Sequence, residues 1–277
     1  RTYTKSIFGS EDIAPVHHLF ENIYIQDLSS GPSLAFKDMA MQFLGNILDY
    51  ELRRRNRRLT ILGASSGDTV SAAEEAMRGK SAIDIVMLTP SHGMSPFQKA
   101  QAGSILDKNV YNVSIDGSFD LCQDIVKEIN RNLEFKKTFS IGAVNSINWG
   151  RIIAQVVYYF KCYLSLPEKH KAIDVVVPSG NFGNVLAAYI AKRMGLPIRR
   201  LLVATNENVV LDDFFKTGIY KQQNVIVTNS PSMDISKASN IERFFFDLLN
   251  RSPKKLIDLM STFESSGEIN LSKYLER

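Results

Sequence analysis

Short apolar runs alternate with longer amphipathic segments along almost the whole chain, and this alternation constrains the fold more than any other feature. Runs of strand length stand at Ile23 to Leu28, Leu59 to Leu62, Ile83 to Leu88, Val110 to Ile115, Ser140 to Val144, Ile173 to Pro178, Leu201 to Thr205 and Val225 to Thr228. Between them, helical spacing of apolar residues predicts helices from near Ser33 onward, over Thr69 to Met77, after Pro96, over Asp120 to Asn130, through WGRIIAQVVYYFKCYL and through VLAAYIAKRMG. Strands that each feed a helix predict an α/β fold with a mostly parallel sheet covered on both faces. Ligands of such folds bind outside the carboxyl ends of the strands. The tail from Arg251 has helical spacing at Leu256, Leu259, Met260 and Phe263, then a turn at Ser265 to Gly267, and carries no recognisable chemistry.

One lysine stands in an unusual place. Gly31 and Pro32 break the chain, Ser33 is suited to cap a helix, and Phe36, Met39, Ala40, Phe43, Leu44, Ile47 and Leu48 follow at helical spacing. Lys37 is therefore expected in the first turn, beside the apolar stripe. The positive helix terminus and the apolar neighbours both favour the neutral amine, the form that condenses with a carbonyl. A lysine snorkelling off a helix edge would have the same surroundings.

Three loops at strand ends are rich in donors. SGNFGN comprises Ser179, Gly180, Asn181, Phe182, Gly183 and Asn184; its glycines, helix N-terminus and polar side chains suit a phosphate, though a plain strand-to-helix turn could have the same composition. It matches neither GxxxxGKS/T nor GxGxxG, which disfavours a nucleotide P-loop and a Rossmann cofactor. Ser65, Ser66, Gly67, Asp68 and Thr69 open another helix and could hold a carboxylate or phosphate, with Asp68 also placed to act as a cap. NSINWGR offers Asn145, Ser146, Asn148 and Arg151, an anion clamp or, for the arginine, an ordinary ion-pair partner. A Schiff-base lysine with several anion sites points to pyridoxal phosphate and an anionic amino-acid substrate.

Composition narrows the alternatives. The net charge of +4 includes the cluster Arg53, Arg54, Arg55, Arg57 and Arg58, which reads as a solvated helix terminus, so no nucleic-acid partner is expected. Apolar runs are too short for a bilayer, the start does not read as a signal peptide, and no membrane partner is expected. Cys122 and Cys162 suggest reduced core thiols in a cytoplasmic protein, and His17, His18, His92 and His170 lack metal-ligand spacing. No feature specifies an oligomeric state.

In order, GPSLAFKDMAMQFLGN, ASSGDT, VNSINWGR, VPSGNFGN, MGLPIRRLLVATNEN and SPSMDISKASN resemble the microbial threonine synthases, fold type II pyridoxal-phosphate enzymes of tryptophan synthase beta-like architecture. The resemblance covers nearly the whole chain. It implies that Lys37 is the Schiff-base lysine, that the SGNFGN loop holds the cofactor phosphate, and that Ser65, Ser66, Gly67, Asp68, Thr69, Asn145, Ser146 and Arg151 surround the substrate. The implied reaction is a lyase-type beta,gamma-elimination and replacement that turns O-phospho-L-homoserine and water into L-threonine and phosphate. Two lobes are expected, a larger one from residues 1–59 and 138–277 and a smaller one from 60–137.

Departures from the family pattern define the alternative. GPS stands for GPT, SSGDTV for TSGDTG and PSHGMS for PxGKxS, so Val70 could crowd a ligand and Gly93 removes a basic side chain. The resemblance also implies shortening at both ends, with loss of the hydroxyl residue that faces the pyridine nitrogen. The alternative is a relative that binds pyridoxal phosphate or a phosphorylated amino acid without turnover.

Overall fold

The computed structural model describes residues 2–65, 67–92, 94–167 and 172–275, and the chain divides into two compact units, Arg1–Ala154 and Gln155–Arg277. In the first, α1 (Lys5–Phe8) precedes an antiparallel hairpin of β1 (Val16–Phe20) and β2 (Ile23–Gln26). Then come α2 (Lys37–Arg54), β3 (Leu59–Ala64), α3 (Thr69–Met77), β4 (Ile83–Pro90), α4 (Pro96–Gly103), β5 (Val110–Ile115), α5 (Phe119–Arg131), α6 (Leu133–Thr138) and β6 (Ile141–Gly142). Helix α7 (Trp149–Ser165) runs on into the second unit.

Strands β3 to β6 form one parallel sheet in the order β5-β4-β3-β6, with Leu59 opposite Ile83, Ile85 opposite Val110 and Thr60 opposite Ile141. Both faces are covered, as parallel strands require. On one face Ile61, Ile83, Ile85 and Met87 pack with Met41, Leu44, Val70, Ala73 and Met77 from α2 and α3. On the other, Leu62, Leu88 and Ile141 meet Cys122, Ile125, Val126 and Ile129 of α5. Successive strands advance from β3 to β5 in one direction, and β6 joins on the far side of β3. The reversal therefore lies between β3 and β6, where an open α/β sheet presents its binding crevice.

The second unit is a βαβ unit with added helices. β7 (Ile173–Pro178), α8 (Gly183–Arg193) and β8 (Ile198–Ala204) place two parallel strands side by side, with Val175 opposite Leu201. α9 (Val210–Thr217), β9 (Ile219–Lys221), a 3₁₀ turn at Pro231–Met233, α10 (Ile241–Leu248), α11 (Pro253–Ser266), β10 (Glu268–Asn270) and α12 (Ser272–Leu275) complete it. Its centre is aromatic: Phe214 meets Phe215, Tyr220 and Phe245 edge-on at 5.0 to 5.8 Å between ring centroids.

The structure corrects several expectations. Val225 to Thr228 is not a strand; Val227 is 90% exposed, and the Ile226 N–H donates to the Asn208 side chain rather than to a neighbouring strand. Ser33 does not cap α2, which begins at Lys37, because its main-chain and side-chain donors are both taken by Asp38. Cys162 is half-buried, whereas Cys122 is fully enclosed. The hairpin strand β1 and helix α6 have no counterpart in the sequence reading; VHHLF carries two histidines in a largely exposed strand, which hides its alternation.

Candidate functional site

In the first unit the site grows from the turn that leads into α2. Asp38 is completely buried and accepts from Ser33 N at 2.8 Å and Ser33 Oγ at 2.6 Å, which folds GPSLA back onto the helix it precedes. Gly31 is needed there, since a Cβ at that position would lie 2.4 Å from Asp38. Burial raises the Asp38 pKa against the pull of the two Ser33 bonds. Gln101 of α4 fixes the turn from outside through Nε2 to Ser33 O at 3.0 Å.

Lys37 thus becomes the first helical residue, with a side chain only 15% exposed. Its Nζ lies 3.1 Å from Asp68 Oδ2, in the loop between β3 and α3. The lysine pKa is lowered: desolvation is the largest cause, the Asp68 carboxylate opposes it, and the Arg151 charge adds to the depression. Asp68 also lies 3.5 Å from Gln98 Nε2, on a helix start secured by a capping box between Ser95 and Gln98. Ser-x-x-Gln at the start of this helix is the sequence signal for that support. Asp68 holds the N-cap position of α3 without a capping bond from its side chain.

The remaining loop residues fall where the strand order reverses. Ser65, Gly67, Asp68 and Thr69 are half-buried after β3, and Ser65 Oγ accepts the Gly67 N–H at 3.2 Å. Ser66 and Gly93 lie outside the described residues. After β6, NSINWGR turns on the Asn148 N–H to Asn145 O bond at 3.1 Å, with Asn145 exposed and Ser146 half-buried. Arg151 is 3% exposed and donates through Nη1 to Val144 O at 3.0 Å, so its cation is held rigidly in the interior. Val70 is wholly buried with Met41, Leu44 and Ala73, so its branched side chain fills the core instead of the loop crevice.

In the second unit SGNFGN forms a cradle of its own. Ser179 is 4% exposed, and its N–H donates to Ala204 O at 3.0 Å, which ties the start of the loop to the end of β8. A Cβ on Gly180 would come within 2.9 Å of Ser232 O, so only glycine fits. Phe182 adopts a left-handed backbone at φ 62° and is 1% exposed, its ring packed beside Phe215 and Phe244. That conformation costs about 1–3 kcal/mol in a bulky residue and persists where packing dictates it. The first helical bond runs from Leu186 N to Phe182 O, which leaves the Gly183, Asn184 and Val185 amides without helical acceptors. Asn184 is oriented by Tyr159, whose hydroxyl donates to its Oδ1 at 2.6 Å; burial pushes the tyrosine pKa up and keeps it a donor. Amides without helical acceptors, a helix dipole and the two glycines of the loop suit a phosphate monoester.

The chain matches the family model described as pyridoxal-phosphate dependent enzyme over residues 11–262. It is 53% identical over 276 residues to the threonine synthase of Corynebacterium glutamicum, covering 98% of this chain and 57% of that protein. Among solved structures it resembles the pyridoxal-phosphate-bound threonine synthase of Brucella melitensis, with a TM-score of 0.91 and 43% identity over 98% of this chain and 59% of that one. The yeast threonine synthase gives the same TM-score at 39% identity, over 99% of this chain and 58% of that one. The chain thus spans less than two thirds of the length of the relatives it matches.

Proposed function

The chain belongs to the pyridoxal-phosphate-dependent enzyme family, and from that premise we propose that it serves threonine synthesis, converting O-phospho-L-homoserine and water into L-threonine and inorganic phosphate. The observation that carries this reading is Lys37, a buried amine at a helix start whose pKa is lowered by desolvation. When bound, pyridoxal phosphate supplies the electron sink that makes the substrate's carbon-bound protons acidic. The work of placing and moving those protons falls to the chain. Lys37 holds the cofactor and, with its amine free, carries protons at the substrate carbons; a pKa lowered by desolvation favours the neutral amine that this requires.

The other assignments follow from donor chemistry. Ser179, Gly180, Asn181, Phe182, Gly183 and Asn184 hold the cofactor phosphate through main-chain amides and the helix dipole. The loop Ser65, Ser66, Gly67, Asp68 and Thr69 takes the substrate carboxylate through its hydroxyls and main-chain amides, while the Asp68 side chain faces Lys37. Asn145, Ser146 and Arg151 hold the departing phosphate, and a buried guanidinium fixed by its bond to Val144 O stabilises that charge without reorganising. We assign residues 60–137 to a smaller lobe and 1–59 with 138–277 to a larger one, a cytoplasmic setting, and small molecules as the sole ligands, with neither nucleic acid nor membrane as partner. No described helix is long and apolar enough to cross a membrane.

The test compares phosphate release from O-phospho-L-homoserine with pyruvate formation from L-serine. Phosphate and threonine without pyruvate support the assignment; pyruvate without phosphate would replace it with a serine deaminase. Arg151→Lys keeps the charge but loses the planar donor pair, and is expected to lower kcat/KM for the phosphorylated substrate about 10- to 100-fold.

A further inference from the structure

Two motifs of the second unit, ATNEN at 204–208 and SPSMDISKASN at 230–240, have no role in the proposed chemistry, yet hydrogen bonds tie them to each other and to the SGNFGN loop. Asn206 Nδ2 donates to Asp234 Oδ1 at 2.8 Å and lies 2.9 Å from Thr228 Oγ1 and from Ser230 Oγ. Asn208, 4% exposed, donates to Asp234 Oδ1 at 3.1 Å and to Ile226 O at 2.9 Å, and its own Oδ1 accepts the Ile226 N–H at 2.8 Å. Thr228 donates its main-chain N–H to Asp234 Oδ2 at 3.0 Å and its hydroxyl to Oδ1 at 2.7 Å. One carboxylate therefore gathers the side chains that follow β8 and the chain that returns from Ile226. Burial would raise the Asp234 pKa, but the bonds from Thr228 and Asn206 outweigh it and keep the group charged.

What that carboxylate holds in place is the turn Pro231–Met233. Ser232 O and Met233 Cα lie 2.9 Å and 3.2 Å from where a Cβ on Gly180 would stand, so the backbone of the turn rests directly on the loop's first glycine. Further along, Asn240 is fully buried and donates both N and Nδ2 to Asn181 O at 3.1 Å, while Ser239 Oγ bonds Asn181 Oδ1 at 3.2 Å. Two consecutive loop residues are thus backed by the same strap. A glycine-containing loop has many accessible shapes, and its amides bind an anion well only when something outside the loop selects one.

We propose that Asp234 is a positioning residue for anion binding: by drawing Asn206, Asn208 and Thr228 together it seats the Pro231–Met233 turn on Gly180 and fixes SGNFGN in its phosphate-receiving shape. This rests on the assignment of that loop to the cofactor phosphate. Asp234→Asn keeps the size but removes the charge and turns one of the two acceptor oxygens that gather Asn206, Asn208 and Thr228 into an amide donor.

The test is the ratio of affinities for pyridoxal phosphate and for pyridoxal, which lacks the phosphate, measured by absorbance titration of the full chain. A residue that acts only on general stability would weaken both. Asp234→Asn is expected to weaken pyridoxal phosphate roughly tenfold or more and leave pyridoxal unchanged, so that the ratio collapses. Should that variant fail to fold, Asn206→Ala removes one donor and is expected to move the ratio in the same direction by less. A wild-type preference for the phosphorylated form that survives in the folded variant overturns the role of Asp234. Equal wild-type affinity for both ligands overturns the phosphate-loop assignment itself, and the proposal with it.

Discussion

Lys37 and Asp68 pull against each other, and the balance decides how much free amine exists near neutral pH. Desolvation lowers the lysine pKa, and the carboxylate 3.1 Å away raises it. Asp68→Asn removes the charge that retains the proton, so the lysine pKa is expected to fall further. The pH at which half the protein forms its absorbing adduct with pyridoxal phosphate should then shift to lower pH, as a spectroscopic titration would read; an unchanged midpoint would mean that Asp68 does not act on Lys37. At Gly31 the constraint is steric. Gly31→Ala drives a methyl against the buried Asp38 at 2.4 Å and is expected to cost about 1–3 kcal/mol, measurable by urea denaturation. The lysine's place was legible because GPS followed by an apolar period marks a helix start. The opposing carboxylate was not, because Asp68 lies 31 residues away and nothing local announces the pairing.

Among the elements, α3 carries an unexpected burden. Glu74 is completely buried, neither carboxyl oxygen has a hydrogen-bond partner, and its pKa is pushed up to about 8 by desolvation, with the neighbouring Glu75 charge adding to the rise. The folded state therefore binds a proton that the unfolded chain releases near the usual glutamate pKa of 4.5. The stability this proton provides is complete below about 4.5, falls as pH rises, and is lost as pH passes through about 8. Glu74→Leu places an apolar side chain of similar size in the core beside Val70 and Met77, and is expected to raise the melting temperature at pH 8 and flatten its decline from pH 5 to 8. A wild-type slope that persists in the variant would place the titrating group elsewhere. Helix α4 offers a smaller effect: Ser95→Ala removes the capping box and is expected to cost about 1 kcal/mol of stability, read by chemical denaturation.

At the scale of the whole molecule, the alternation of strand and helix was legible because each buried strand needs a continuous apolar run and each covering helix an apolar stripe. β5 and β7 stand where their runs predicted, and α3 has the predicted limits. Val225 to Thr228 misled because an apolar run becomes a strand only if a partner lies alongside, and there side chains of Asn208 and Asp234 take the backbone bonds instead. The SGNFGN loop was visible as composition, while its supports at Ser232, Met233 and Asn240 depend on contacts more than 50 residues apart. The most direct measurement of the central claim is the visible absorption spectrum of the protein incubated with pyridoxal phosphate, recorded beside Lys37→Ala. A Schiff-base band present in the wild type and absent from the variant is the predicted result. The same band in both, or in neither, would contradict the assignment of Lys37 as the residue that holds the cofactor.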